Sequence, residues 1–141
     1  MNPRFYLDQD VNKALKRALQ AYYPESDCEV TAAESGLHLA YDGHHLLHAA
    51  QNRRILVSHN GKDFITMHDA WARWSAAWGV APQRARHYGI LIIPQSWRPP
   101  VAAREISQFL GPHDLLPDQI YAYDTSPDVQ QWVKDPTPKR R

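Results

Sequence analysis

Two aspartates one residue apart, Asp8 and Asp10, close the apolar run Phe5-Tyr6-Leu7, and a third, Asp63, lies just beyond the run Ile55-Leu56-Val57-Ser58. Asp42 stands at the start of a further segment, and Glu34 in a turn-like stretch before it. Carboxylates delivered from separate parts of a chain suit a hard divalent cation. Mg2+ or Mn2+ takes oxygen ligands and keeps several waters, so roughly two to four carboxylates suffice. Such an ion activates a water and offsets the charge developing on a phosphodiester. Aspartate is also among the best helix N-caps, worth about 1 kcal/mol. Asp10, Asp42 and Asp63 therefore stand open between capping and metal binding. Asp8 differs, because a carboxylate ending an apolar strand is costly unless paired or metal-bound, and it reads as functional. Glu34 reads as a solvated turn residue.

The elements that would position these acids alternate. Phe5 to Asp8 reads as a short buried strand. Val11, Ala14, Leu15, Ala18 and Leu19 then recur at helical spacing opposite Lys13, Lys16, Arg17 and Gln20, with Asp10 at the N-cap position. Cys28 to Ala32 is a second strand. Asp42-Gly43 opens a helix through His44, His45, Leu46, Leu47, His48, Ala49 and Ala50. Arg54 to Ser58 is the clearest strand, followed by His59-Asn60-Gly61-Lys62-Asp63 and a helix from about Phe64 to Trp78. Tyr88 to Ile93 is a strand closed by Pro94. Pro99-Pro100 opens a helix to about Leu110, with Gly111-Pro112 as its stop. One or two short helices are expected between Asp114 and Val133, then a basic tail ending Lys139-Arg140-Arg141. Strand and helix in alternation call for an α/β fold with a mostly parallel sheet and helices on both faces. Right-handed crossovers place the strand-to-helix turns, and so the acids, at one edge. That edge is where open α/β sheets collect ligands.

Taken in order, Phe5-Tyr6-Leu7-Asp8-Gln9-Asp10-Val11, Val30-Thr31-Ala32-Ala33-Glu34-Ser35-Gly36-Leu37, Asp42 before a helix, Ile55-Leu56-Val57-Ser58-His59-Asn60-Gly61-Lys62-Asp63-Phe64 and Gly89-Ile90-Leu91-Ile92-Ile93-Pro94 resemble the small PIN-like proteins. These are relatives of the VapC-type toxin ribonucleases. The resemblance runs from about Arg4 to Leu110. It implies a three-layer α/β/α sandwich and a PIN-like domain over residues 1–111; the piece from Gly111 onward has no counterpart in the family, and residues 112–141 read from their own pattern as a C-terminal helical extension and basic tail packed on the same domain. The resemblance further implies an endoribonuclease with an acidic pocket for Mg2+ or Mn2+. Asp8, Asp63 and Asp42 would be metal ligands, Asp10 would support them, and Ser58 and Asn60 would hold a metal-bound water or a phosphate. RNA and a cognate antitoxin are the implied partners. Two departures stand out: Gln9 replaces the acid usual between the first two aspartates, and Asn60 replaces one often present before Asp63.

At 141 residues with 43% hydrophobic content the chain suits one domain, and eleven prolines forecast many loops. A formal charge of +1 excludes strong whole-molecule attraction to nucleic acid but leaves room for a local basic groove. Lys13, Arg17, Arg54, Arg84 and Arg86 are the cations expected to rim the pocket and hold RNA. A single cysteine, Cys28, rules out an internal disulfide framework, fits a cytoplasmic setting, and reads as core. No apolar run is long enough for a membrane span. His44, His45, His48 and His59 lack the accompanying residues of a zinc motif and read as solvated or capping. Trp71, Trp74 and Trp78 share a helical stripe that is either core or a surface for a homodimer or antitoxin. Two other readings of the whole remain: a non-catalytic PIN-like binding module, favoured by Gln9 and Asn60, and a flavodoxin-like or receiver-type domain.

Overall fold

A computed structural model describes residues 3–24, 27–30, 42–77 and 86–137. In chain order the elements are β1 (Phe5–Leu7), α1 (Ala14–Tyr22), β2 (Cys28–Val30), α2 (Asp42–Gln51), β3 (Ile55–Ser58), α3 (Gly61–Ala77), β4 (Ile90–Ile92), α4 (Pro99–Leu110), β5 (Ile120–Asp124) and β6 (Gln131–Lys134). The strands form one sheet in the order β2-β1-β3-β4-β5-β6. Every neighbouring pair is parallel except β5 and β6. The chain is thus an α/β protein, and its described residues form a six-stranded, mostly parallel sheet and four helices.

Alternation along each strand divides the core between the two faces. Phe5 and Leu7 of β1, Ile55 and Val57 of β3 and Leu91 of β4 pack with Leu15 and Leu19 of α1 and with Ala102, Ala103, Ile106 and Leu110 of α4. Tyr6, Leu56, Ile90 and Ile92 point the other way, to Leu46 and Ala49 of α2 and Phe64 and Ile65 of α3. The same parity sends Asp8 and Ser58, two residues beyond Tyr6 and Leu56, to the α2/α3 face. Helices α1, α2 and α3 all begin where their preceding strands end, at the edge that carries Asp8.

Helix α4 departs from the simple winding. It carries the chain from β4 to β5 in the direction that α3 carries it from β3 to β4, yet it lies on the α1 face. Its crossover therefore has the opposite hand to that of α3, against the usual preference. Small Ala102 and Ala103 let it settle beside α1. Among the described residues the α2/α3 face of β5 and β6 is consequently left without a helix of its own.

The C-terminal region is a strand pair, not the expected helical extension. Ile120 and Ala122 face the α2/α3 side, whereas Tyr121 packs on the α1/α4 side. Tyr123 lies against Trp97 and Trp132, with ring centroids 4.5 and 5.7 Å apart. This aromatic two-residue period favours a strand over a helix. Because Leu91 pairs with Tyr121, residues 112–137 continue the same sheet as residues 3–110.

Arg54 defines the opposite edge. Its guanidinium donates to Phe5 O at 3.1 Å, Asp27 O at 2.8 Å and Asp27 Oδ2 at 2.8 Å. The hydrogen bond from Arg54 holds the Asp27 carboxyl below its ordinary range. Arg54 was expected among the RNA-contacting cations. It is instead buried structural glue, because it precedes β3 and so sits where strands begin.

Gly89, the residue before β4, has φ +128°, and a Cβ there would lie 2.9 Å from Leu116 Cβ. Its carbonyl also accepts from Leu56 N at 2.9 Å, so the backbone has little freedom to shift. Gly89→Ala should lower unfolding free energy by about 1–3 kcal/mol, read as a lower urea midpoint. An unchanged midpoint would contradict this backbone assignment.

Candidate functional site

Asp8 is 2% exposed at the end of the interior strand β1, with its backbone N–H donating to Val57 O at 2.9 Å. Two donors hold its carboxylate: Ser58 Oγ to Oδ2 at 2.7 Å and Gln9 N to Oδ1 at 2.9 Å. Ser58 Oγ in turn accepts from Asn60 N at 2.9 Å. A carbonyl-free hydroxyl can do both, donating once and accepting once. Burial pushes the Asp8 carboxyl above its ordinary value. The Ser58 hydrogen bond opposes that rise, and the nearby charge of Asp10 adds to it. A buried carboxylate crowded by a second one is the electrostatic condition a cation relieves.

His45, from the first turns of α2, completes the pocket from the helix side. Its ring is fully buried, Nδ1 lies 2.9 Å from Tyr6 Oη, and Nε2 lies 3.9 Å from Asp8 Oδ1. Among the described residues Nε2 has no hydrogen-bond partner. Sequence reasoning placed His45 among solvated or capping histidines, and the structure overturns that. The signal was present in the spacing, since His45, Leu46 and Ala49 occupy one buried face of α2. His48 also differs from that reading: it is bound to Glu29 Oε1 through Nε2 at 2.7 Å.

The other expected site residues divide. Asn60, not Asp63, is the N-cap of α3: its Oδ1 accepts from Asp63 N at 3.3 Å, and its Nδ2 donates to Asp63 Oδ2 at 2.9 Å. Asp63 is exposed and engaged in that capping pair. Asp10 is exposed and does not cap α1. That helix starts later than expected, at Ala14, and Asn12 Oδ1 accepts from Ala14 N at 2.9 Å. Asp42 opens α2 as expected. Its side chain, and all of Glu34, lie outside the described residues. Among the described residues no group of three His, Cys, Asp or Glu side chains gathers to hold a metal ion. Asp63 instead directs one carboxylate oxygen to Asn60 Nδ2.

Of the cations, Lys13 and Arg17 are exposed at and just inside the start of α1, on the acid edge. Arg86 is at the opposite edge, before β4, and pairs with Asp118 at 3.1 Å. Arg84 and the tail from residue 138 lie outside the described residues. Trp71 is half-buried against the α2/α3 cluster and meets the edge of His87, centroids 6.5 Å apart, so it belongs partly to the core. Trp78 and the Trp74 side chain lie outside the described residues. Cys28 is buried in the core as expected.

Beyond Ser58 the β3–α3 turn faces a second space. A cleft of about 790 Å3 lies over the uncovered α2/α3 face of β5 and β6, with Ile65, Ile92, Ala122 and Val133 in its wall and His59 and Lys62 at its rim. His59 Nδ1 donates to Ile93 O at 2.8 Å, since a carbonyl can only accept. Neutral His59 thus keeps a lone pair on Nε2. Asp8 is not in this cleft; the turn carrying Ser58 and His59 separates the two.

No protein-family model, curated protein or solved structure matches the chain. No helix among the described residues is long and apolar enough to cross a membrane.

The raised Asp8 pKa has a direct consequence. Folding takes up a proton between the ordinary value of 3.8 and the higher folded value, so stability falls as pH rises through that window and stays lowered above it. Asp8→Asn, with chelator present, should therefore raise the urea midpoint at pH 7 to 8, and the gain should disappear below about pH 4. A mutant less stable at every pH would show that the ionised carboxylate is not strained.

Proposed function

We propose that this chain is a divalent-metal-dependent endoribonuclease of the PIN-like kind, with Asp8 as its principal metal-binding residue. The observation that carries this reading is Asp8 itself, a carboxylate at the carboxyl end of the interior strand β1 whose pKa is raised first by burial and further by the charge of a second acid, Asp10. Helices on both sides of the sheet are compatible with a three-layer PIN-like arrangement. The residues fit a metal: a buried carboxylate faces a buried nitrogen without a partner. A bound Mg2+ or Mn2+ would polarise the scissile phosphate and lower the pKa of a water.

The protein's own groups supply position. Ser58 fixes the Asp8 carboxylate, and Gln9 N holds its other oxygen. The starts of α1 and α3 aim backbone dipoles at the same edge and favour a phosphate there. Lys13 and Arg17 add charge along α1, and Lys62 adds it at the rim of the cleft. The adjoining cleft offers apolar wall and a His59 acceptor to a nucleotide next to the cleaved bond. A toxin held by a cognate antitoxin is the biological setting that the resemblance suggests. The engagement of Asp63 with Asn60 favours a second reading, a PIN-like module that binds nucleic acid or protein without cutting it.

Purified protein should cleave single-stranded RNA with Mg2+ or Mn2+ and not with chelator, and Asp8→Asn should reduce the rate by at least about a hundredfold. Asp63→Asn should cost far less, because Asn can retain the cap. RNA binding without cleavage in any divalent ion would decide for the module, and cleavage of DNA alone would refute the substrate class.

A further inference from the structure

The pocket behind Asp8 holds an arrangement that an oxygen-only cation site does not explain. His45 is fully buried, yet Nε2 hydrogen-bonds to nothing and points toward Asp8 Oδ1 at 3.9 Å. A buried ring nitrogen without a partner loses hydration without compensation. The separation is too long for a direct hydrogen bond. A bridging water with two hydrogen bonds of about 2.8 Å would have to subtend an angle of roughly 90°, tighter than water prefers. A single first-row ion, with metal–nitrogen and metal–oxygen bonds of about 2.1 Å each, spans up to about 4.2 Å.

We propose that His45 Nε2 is a direct metal ligand opposite Asp8, which makes this a mixed nitrogen–oxygen centre selective for a transition ion such as Mn2+ or Zn2+ over Mg2+. The inference rests on the metal-dependent reading of Asp8. Two further features support it. Tyr6 Oη, 2.9 Å from Nδ1, can accept its hydrogen, and that tautomer leaves the Nε2 lone pair toward Asp8. Metal-bound histidines commonly have their other nitrogen fixed in this way. Asp8 Oδ1 accepts one hydrogen bond, from Gln9 N, and so retains capacity for a ligand bond. Imidazole suits Zn2+ and other first-row transition ions, whereas Mg2+ prefers oxygen and water.

The test uses the full chain loaded with Mn2+ and read by pulsed electron paramagnetic resonance. Wild type should show modulation from a directly bound 14N, changed to a 15N pattern after histidine-selective labelling. His45→Gln should lose that modulation, weaken Mn2+ by about tenfold or more in calorimetric titration, and change Mg2+ affinity by less than about threefold. If His45→Gln folds poorly, His45→Asn takes its place with the same readout, since either variant removes the imidazole nitrogen while the label identifies histidine as the ligand type. Mn2+ bound without a nitrogen signal would overturn the His45 assignment and leave an oxygen-only site and the nuclease reading intact. No binding of Mn2+, Zn2+ or Co2+ by wild type would overturn both. A nitrogen signal that persists in folded His45→Gln would assign the ligand to another histidine and refute the proposal.

Discussion

The hydrogen bond from Ser58 Oγ to Asp8 Oδ2 joins the ends of two neighbouring interior strands, β1 and β3, and fixes the carboxylate at that edge. It is possible only because β1 and β3 are parallel neighbours in a fixed register, with Leu7 opposite Val57. A one-residue slip would turn Asp8 and Ser58 to opposite faces. The apolar residues of both strands prevent that slip, since it would also exchange Phe5 and Leu7 for Tyr6 between the two cores. The acid is thus positioned by hydrophobic parity, and its strain is the consequence: the packing that fixes Asp8 also removes water from it.

Much of this was legible from residue order. The four parallel strands before the terminal pair, the helix opened by Asp42 and the helix bounded by Pro99 and Gly111 follow from period and punctuation. Asp8 was identifiable because a charge at the end of an apolar run has no inexpensive structural role. What escaped was set by tertiary contacts. His45 looks like a neighbour of His44 and His48, and only the rotation of α2 against β1 puts it over Tyr6. Arg54 has the composition of a phosphate contact, and its place before a strand, not after one, is what turns it to Asp27. The terminal strand pair was read as helix because Asp, Pro and Gln interrupt it. Its decisive aromatic alternation becomes compelling only when Trp97 and Phe109 are there to meet Tyr121, Tyr123 and Trp132.

The winding of α4 links fold to site. Had α4 crossed on the α2/α3 face, it would have covered β5 and β6 beside α3 and filled the cleft next to His59. Placed against α1, it completes one core and leaves the other face open at the edge shared with Asp8. The β3–α3 turn then becomes a two-sided wall, Ser58 serving the buried acid and His59 the open cleft. Adjacent residues can face different spaces in this way because the turn leaves the strand between them.

The remaining question is how the pocket's charge is balanced. Gln9 and Asn60 each stand where a further carboxylate would increase repulsion on Asp8, and Asn60 instead ties Asp63 into a helix cap. The pocket therefore gathers less negative charge than a set of four acids would. Fewer carboxylates mean weaker attraction for a strongly hydrated ion such as Mg2+, which depends on charge to repay its dehydration. A neutral imidazole adds a strong donor without adding charge. With His45 as the proposed ligand, Gln9, Asn60 and the unpartnered His45 nitrogen would have a common explanation: the centre would exchange charge for ligand strength, and its choice of ion would shift accordingly.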